Sequence, residues 1–181
     1  MDRVLILCTG NAARSVMAGA ALRSHLVPGI EVDTAGTLVV DGQPMSWRTR
    51  AALDAVGLPI PEHRSRQASA RDLDRADVVI GLAPEHVRWV RREHPRASGR
   101  TATLKRLVRD LSSSPSDLRT RVASLGLDKV ELGDWEEVVD PGGGDADDFI
   151  ACAQEIDLLA RRFAAVLPRQ RERSVIAWSS R

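Results

Sequence analysis

Apolar positions along the chain follow two different periods, and the switches between them mark out the elements. Val4-Leu5-Ile6-Leu7 is a short, continuous apolar run that ends at Cys8-Thr9-Gly10-Asn11. A run of that length, followed by turn-forming residues, predicts a strand buried on both faces that opens into a loop. From Ser15 onward Val16, Met17, Ala20, Ala21, Leu22 and Leu26 recur at helical spacing, and Pro28-Gly29 stops the pattern. Ile30 to Thr34 predicts a second strand, with a loop at Ala35-Gly36-Thr37. Ser46 is placed to cap a helix that runs to about Val56 and closes at Gly57 and Pro59.

The same grammar continues to the end. Asp77 to Gly81 predicts a third buried strand, Pro84 opens a helix reaching His94-Pro95, and a fourth strand falls near Ala102-Thr103-Leu104. Residues 110–130, with Ser112-Ser113-Ser114-Pro115, read as loop plus a short helix. A long helix then starts near Ala146-Asp147 and carries Phe149, Ile150, Ala153, Ile156, Leu159, Ala160, Phe163 and Val166 on one stripe. Asp145, Asp147 and Asp148 suit its positive N-terminal end. Short strands alternating with amphipathic helices predict an α/β domain: a three-layer sandwich with a central four-stranded parallel sheet and helices on both faces. The domain spans 1–167, and Pro168 to Arg181 reads as a polar tail. Ligand sites in such sheets lie beyond the carboxyl ends of the strands, which is where Cys8 falls.

Composition narrows the function classes. The 181 residues form one domain large enough for a real core. Twenty-six Lys and Arg face 25 Asp and Glu, and a net charge of +1 gives no support for a nucleic-acid binder. No apolar run approaches the roughly 20 residues a bilayer span needs. The N-terminus lacks the pattern of a signal peptide, so no membrane association and a cytoplasmic location are expected. The two cysteines, Cys8 and Cys152, and the four histidines show no metal-ligand spacing, so neither a metal nor a cofactor is expected.

The chemistry concentrates in Cys8-Thr9-Gly10-Asn11-Ala12-Ala13-Arg14-Ser15, where five residues separate a cysteine from an arginine. Small residues between a strand and a helix can curl so that successive backbone N–H groups point inward as an anion nest. Gly10 and Asn11 accept left-handed backbone angles. Ala12 and Ala13 leave room, and the helix N-terminus adds its unpaired amides. A tetrahedral phosphate fits that cradle, and Arg14 can grip two of its oxygens in a fork that lysine cannot copy. The same field favours the thiolate of Cys8, to which Ser15 can donate a hydrogen bond. Attack of that sulfur on phosphorus gives a cysteinyl-phosphate that water then hydrolyses.

On these residues the chain resembles the low-molecular-weight protein-tyrosine phosphatases, which carry a Cys-x-Gly-Asn-x-x-Arg-Ser loop close to the N-terminus. The similarity extends through Met17-Ala18, Val32 to Thr37, Ala51-Ala52-Leu53 with Gly57, His63 to Gln67 and Ala76 to Ile80. It fades over about residues 96–135 and returns at Asp140-Pro141. The resemblance implies a flavodoxin-like sheet topology and metal-free phosphomonoester hydrolysis, acting on a phosphotyrosine protein or a small phosphate ester. It also implies that Asp140 is the acid that protonates the leaving group. Pro141 biases Asp140 toward extended backbone, and Gly142-Gly143-Gly144 let that loop approach the pocket. Glu136 and Glu137 are expected to face solvent.

Three departures stand out. Gly142 follows Asp140-Pro141 where relatives often carry an aromatic residue, the chain has no tyrosine, and Ala13 replaces the second loop cysteine of many members. Trp47 is the candidate for a substitute pocket wall. His63 falls where relatives carry a histidine bonded to the loop network, and Cys152 is expected in the core. A single-cysteine arsenate reductase using an external thiol is the competing enzyme class, because arsenate is also a tetrahedral oxyanion. A phosphate-binding module without turnover is a third reading.

Overall fold

A computed structural model of the chain describes residues 2–26, 29–114 and 116–167. Strands β1 (Asp2–Cys8), β2 (Ile30–Gly36), β3 (Val78–Gly81) and β4 (Thr101–Thr103) form one sheet in the order β2-β1-β3-β4. Every pairing is parallel, with Cys8 opposite Gly36 and Leu7 opposite Gly81. The first crossover goes from β1 to β2 on one side, and the next returns to place β3 on the other. The strand order therefore reverses at β1, the arrangement of a flavodoxin-like sheet, and the crevice at that reversal opens at the end carrying Cys8.

The β1 run is fully apolar because both of its faces are covered. Val4 and Ile6 join Val32, Val78, Ile80 and Ala102 against helices α1 (Arg14–His25) and α7 (Ala146–Val166). Leu5 and Leu7 join Ala35, Val79, Leu73 and Val90 on the opposite face, beneath α3 (Ala70–Arg75) and α4 (Pro84–Glu93). Alternate residues of one strand thus serve two cores, as the period-two pleat requires.

Local signals set the boundaries. Ser46 caps α2 (Trp47–Ala55) by accepting from the Thr49 amide at 3.1 Å, and Gly57 beyond it has φ 71°. Asp145 and Asp148 form a reciprocal capping box on α7. Two short helices escape the periodicity. Helix α3 is announced only by its Ser69 and Asp72 capping box. Helix α5 (Leu104–Asp110) begins where the fourth strand was expected to continue, because the Thr103 side chain ends β4 by capping the helix at the Arg106 amide. Helix α6 (Leu118–Ala123) lies within the expected 110–130 segment. Among the described residues no helix is long and apolar enough to cross a membrane. Pro28, Pro115 and the expected tail at 168–181 lie outside the described residues.

Candidate active site

Cys8 is the last residue of β1 and Arg14 the first of α1, so the loop between them spans the crevice at the sheet reversal. Asn11 turns it. At φ 49° it is the only residue other than glycine with positive φ among the described residues, a conformation asparagine accepts more readily than most side chains. Its Nδ2 donates to Ser15 Oγ (2.9 Å) and Thr34 Oγ1 (3.1 Å), while its Oδ1 accepts from the Arg66 amide (3.1 Å). Gly10 was expected to share the left-handed role and does not: its φ is not positive, and a Cβ there would meet open space.

Three neighbours brace the loop. His63 Nε2 donates to the Asn11 carbonyl at 2.6 Å, which links it to the network the resemblance implied. Thr49 Oγ1 donates to the Ala12 carbonyl at 3.1 Å. Gly36 lets β2 pass close behind, since a Cβ there would stand 2.5 Å from the Thr9 carbonyl. At the start of α1, Ala13 offers no capping side chain and the first turn holds no acidic residue. Its leading amides stay free for an anion.

Cys8 is buried at the floor, with Sγ 2.9 Å from Ser15 Oγ. Ser15 Oγ already accepts from Asn11, so its own proton can go to the sulfur. Arg14, 2% exposed, donates through Nη1 to the Val138 carbonyl (3.1 Å) and through Nη2 to Asp140 Oδ2 (2.5 Å). Glu85 Oε1 lies 3.9 Å from the same Nη2. Asp140 Oδ1 accepts from the Gly142 amide at 2.9 Å, and Gly143 turns the loop at φ 85°. A pocket of about 270 Å³ opens between Cys8, Arg14, Asp140 and Gly142, with Ser46, Thr49 and Phe149 completing the wall.

The loop carrying Asp140 is tied down from behind. The Val138 amide donates to the Leu82 carbonyl at 2.8 Å. Glu136, expected in solvent, is instead fully buried: it pairs with Arg106 at 2.5 Å and accepts from Thr103 Oγ1 at 2.7 Å and the Gly133 amide at 2.9 Å. Burial pushes its carboxyl upward, but the hydrogen bonds from Arg106, Thr103 and Gly133 outweigh that and hold it below its ordinary value.

A family model described as low molecular weight phosphotyrosine protein phosphatase matches residues 3–173. The chain belongs to that family. The phosphatase is 30% identical over 165 residues to a protein-arginine-phosphatase of Geobacillus stearothermophilus, covering 91% of this chain and 95% of the relative. It is 32% identical to a low molecular weight protein-tyrosine-phosphatase of Streptomyces coelicolor, covering 94% and 96%. Among solved structures, the YwlE arginine phosphatase from Geobacillus stearothermophilus superposes with a TM-score of 0.73 at 28% identity, over 91% of this chain and 92% of that one.

Of the sequence-predicted site residues, Cys8, Thr9, Gly10, Ala12, Ala13, Arg14 and Asp140 line one pocket, Asn11 and Ser15 are buried behind the loop, and His63 braces it from outside. Trp47 does not reach the pocket. As the first residue of α2 it is 65% exposed, with the Arg48 guanidinium 5.1 Å over its ring. The aromatic wall is Phe149, which sequence reasoning had assigned only to the core stripe of the last helix. Cys152 is buried on α7, and its thiol is pushed up to about 12, chiefly by burial.

His86 was missed altogether. It is 1% exposed in the first turn of α4, its Nδ1 accepts from the Ala83 amide (3.0 Å), and its Nε2 stands 3.2 Å from Thr9 Oγ1. Burial, with the Arg14 charge adding to it, lowers its pKa to about 3. The available signal was positional: α4 starts just after β3, at the same sheet end as Cys8.

Proposed function

We propose that this phosphatase hydrolyses phosphorylated protein side chains through a cysteinyl-phosphate on Cys8, in the cytoplasm, with phosphotyrosine as the substrate residue. The observation that carries this reading is the placement of Cys8 Sγ, 2.9 Å from Ser15 Oγ, at the floor of a pocket bounded by Arg14 and Asp140. In the first step the sulfur attacks phosphorus in line, the bond from phosphorus to the leaving oxygen breaks, and Asp140 gives its proton to that oxygen. In the second, the Asp140 carboxylate takes a proton from water as the water oxygen bonds to phosphorus and the sulfur leaves. Arg14 and the free amides of the loop hold the equatorial oxygens throughout, and Ser15 donates to the departing sulfur.

A second reading, phosphoarginine, is favoured by the rim of the pocket. With Trp47 outside the pocket and glycine at position 142, Phe149 is the one aromatic side chain of the wall, and it shares the site with the carboxylate of Asp140 and with Glu85, 3.9 Å from Arg14 Nη2. Carboxylates suit a guanidinium leaving group, and a relative covered over 95% of its length is named a protein-arginine-phosphatase. The same steps would then break a bond from phosphorus to nitrogen.

The test is metal-free hydrolysis of an aryl phosphate by wild type, Cys8→Ser and Arg14→Lys, followed by matched phosphotyrosine and phosphoarginine peptides. Both variants should lose at least about a thousandfold in kcat/KM. Equal activity of wild type and Cys8→Ser rejects the mechanism. A higher kcat/KM on the phosphoarginine peptide selects the second reading.

A further inference from the structure

His86 occupies a position that fixes its proton. The Ala83 N–H donates to Nδ1 at 3.0 Å, so Nδ1 must be an acceptor. The ring is 1% exposed and neutral, so its single proton sits on Nε2, 3.2 Å from Thr9 Oγ1. Nε2–H therefore donates, and the Thr9 hydroxyl accepts. That leaves the Thr9 proton uncommitted, because Thr9 Oγ1 makes no other hydrogen bond among the described residues. Thr9 lines the pocket beside Cys8, Gly10 and Arg14. Glu85 is the nearby carboxylate, but its Oε1 lies 3.7 Å from His86 Nε2 and its side chain is 53% exposed.

We infer that His86 is a positioning residue that makes the Thr9 hydroxyl a donor to the oxyanion in the pocket, giving the loop a side-chain contact in addition to its amides. A hydroxyl that accepts from an imidazole N–H is polarised and donates more strongly. A hydrogen bond to a charged oxygen is worth more than one between neutral groups. The inference rests on the reading that the pocket holds a phosphoryl group.

The experiment measures inhibition of aryl phosphate hydrolysis by orthophosphate in wild type, Thr9→Val, Thr9→Ser, His86→Phe and the Thr9→Val/His86→Phe double variant, with urea midpoints for each. Thr9→Val should raise the inhibition constant about tenfold or more, and Thr9→Ser should return it to within about twofold of wild type. His86→Phe should weaken orthophosphate in the wild-type background and add nothing to Thr9→Val. A wild-type inhibition constant in Thr9→Val overturns the inference, as does an equal loss in Thr9→Ser or full additivity in the double variant. If His86→Phe shows no cooperative urea transition, the two Thr9 variants decide alone. Wild type that neither hydrolyses the ester nor binds orthophosphate removes the underlying phosphoryl reading, a result distinct from a silent Thr9→Val.

Discussion

Arg14 Nη2 stands 2.5 Å from Asp140 Oδ2, so the guanidinium expected to clamp phosphate is held by the carboxyl group expected to deliver the proton. With Nη1 on the Val138 carbonyl, the loop carrying Asp140 occupies both arms of the fork. In the proposed mechanism an incoming phosphoryl group takes Nη2 from Asp140. That exchange would release Asp140 toward the leaving group.

Asp140→Asn should therefore separate binding from chemistry. Without the competing carboxylate, orthophosphate should inhibit about fivefold more tightly, since a half-exposed ion pair is worth up to about 1 kcal/mol. Turnover should fall by a factor that shrinks as the leaving group becomes more acidic. Steady-state inhibition together with a leaving-group series on aryl phosphates measures both effects.

Glu136→Gln should be among the most damaging substitutions away from the pocket. It removes the nearer counter-charge of Arg106, itself buried, and leaves it Asp110 at 3.5 Å; breaking a buried pair in this way costs up to about 3–5 kcal/mol. Urea unfolding at neutral pH reads that loss. The wild-type carboxyl sits below its ordinary value of 4.5. Its contribution is therefore present above pH 4.5 and fades as pH falls through the lower folded value.

His86 gives stability a second pH dependence of the same sign. The unfolded chain binds its proton near 6.5, whereas the folded chain resists until about 3. Between those values the unfolded state holds more protons, so stability drops as pH falls, at up to about 1.4 kcal/mol per pH unit from this residue. The difference in urea stability between wild type and His86→Gln, followed downward from pH 6.5, should shrink along that slope. A constant difference contradicts it.

The four strands, the main helices and the tight turn between Cys8 and Arg14 were legible because local chemistry alone dictates them. A doubly buried strand has to be apolar along its whole length, as Val4 to Leu7 is, and a nest between strand and helix needs small residues with a turn-former such as Asn11. What stayed hidden depends on partners distant in sequence. Glu136 looks like a surface carboxylate until Arg106 and Thr103 arrive from the β4–α5 junction. Trp47 has the right neighbourhood but the wrong helical face, and Ser46 and Thr49 on either side of it reach the pocket instead. His86 shows no pattern in its own segment, since Thr9, its partner, is 77 positions away.

The central claim is a covalent bond between phosphorus and the sulfur of Cys8. Acid quenching of the Asp140→Asn variant during aryl phosphate turnover, followed by digestion and mass spectrometry, looks for that bond directly. The predicted result is a phosphoryl group on the peptide containing Cys8, absent from Cys8→Ala, which should be inactive. Turnover by Cys8→Ala at the wild-type rate, with no phosphorylated cysteine in either protein, would contradict it.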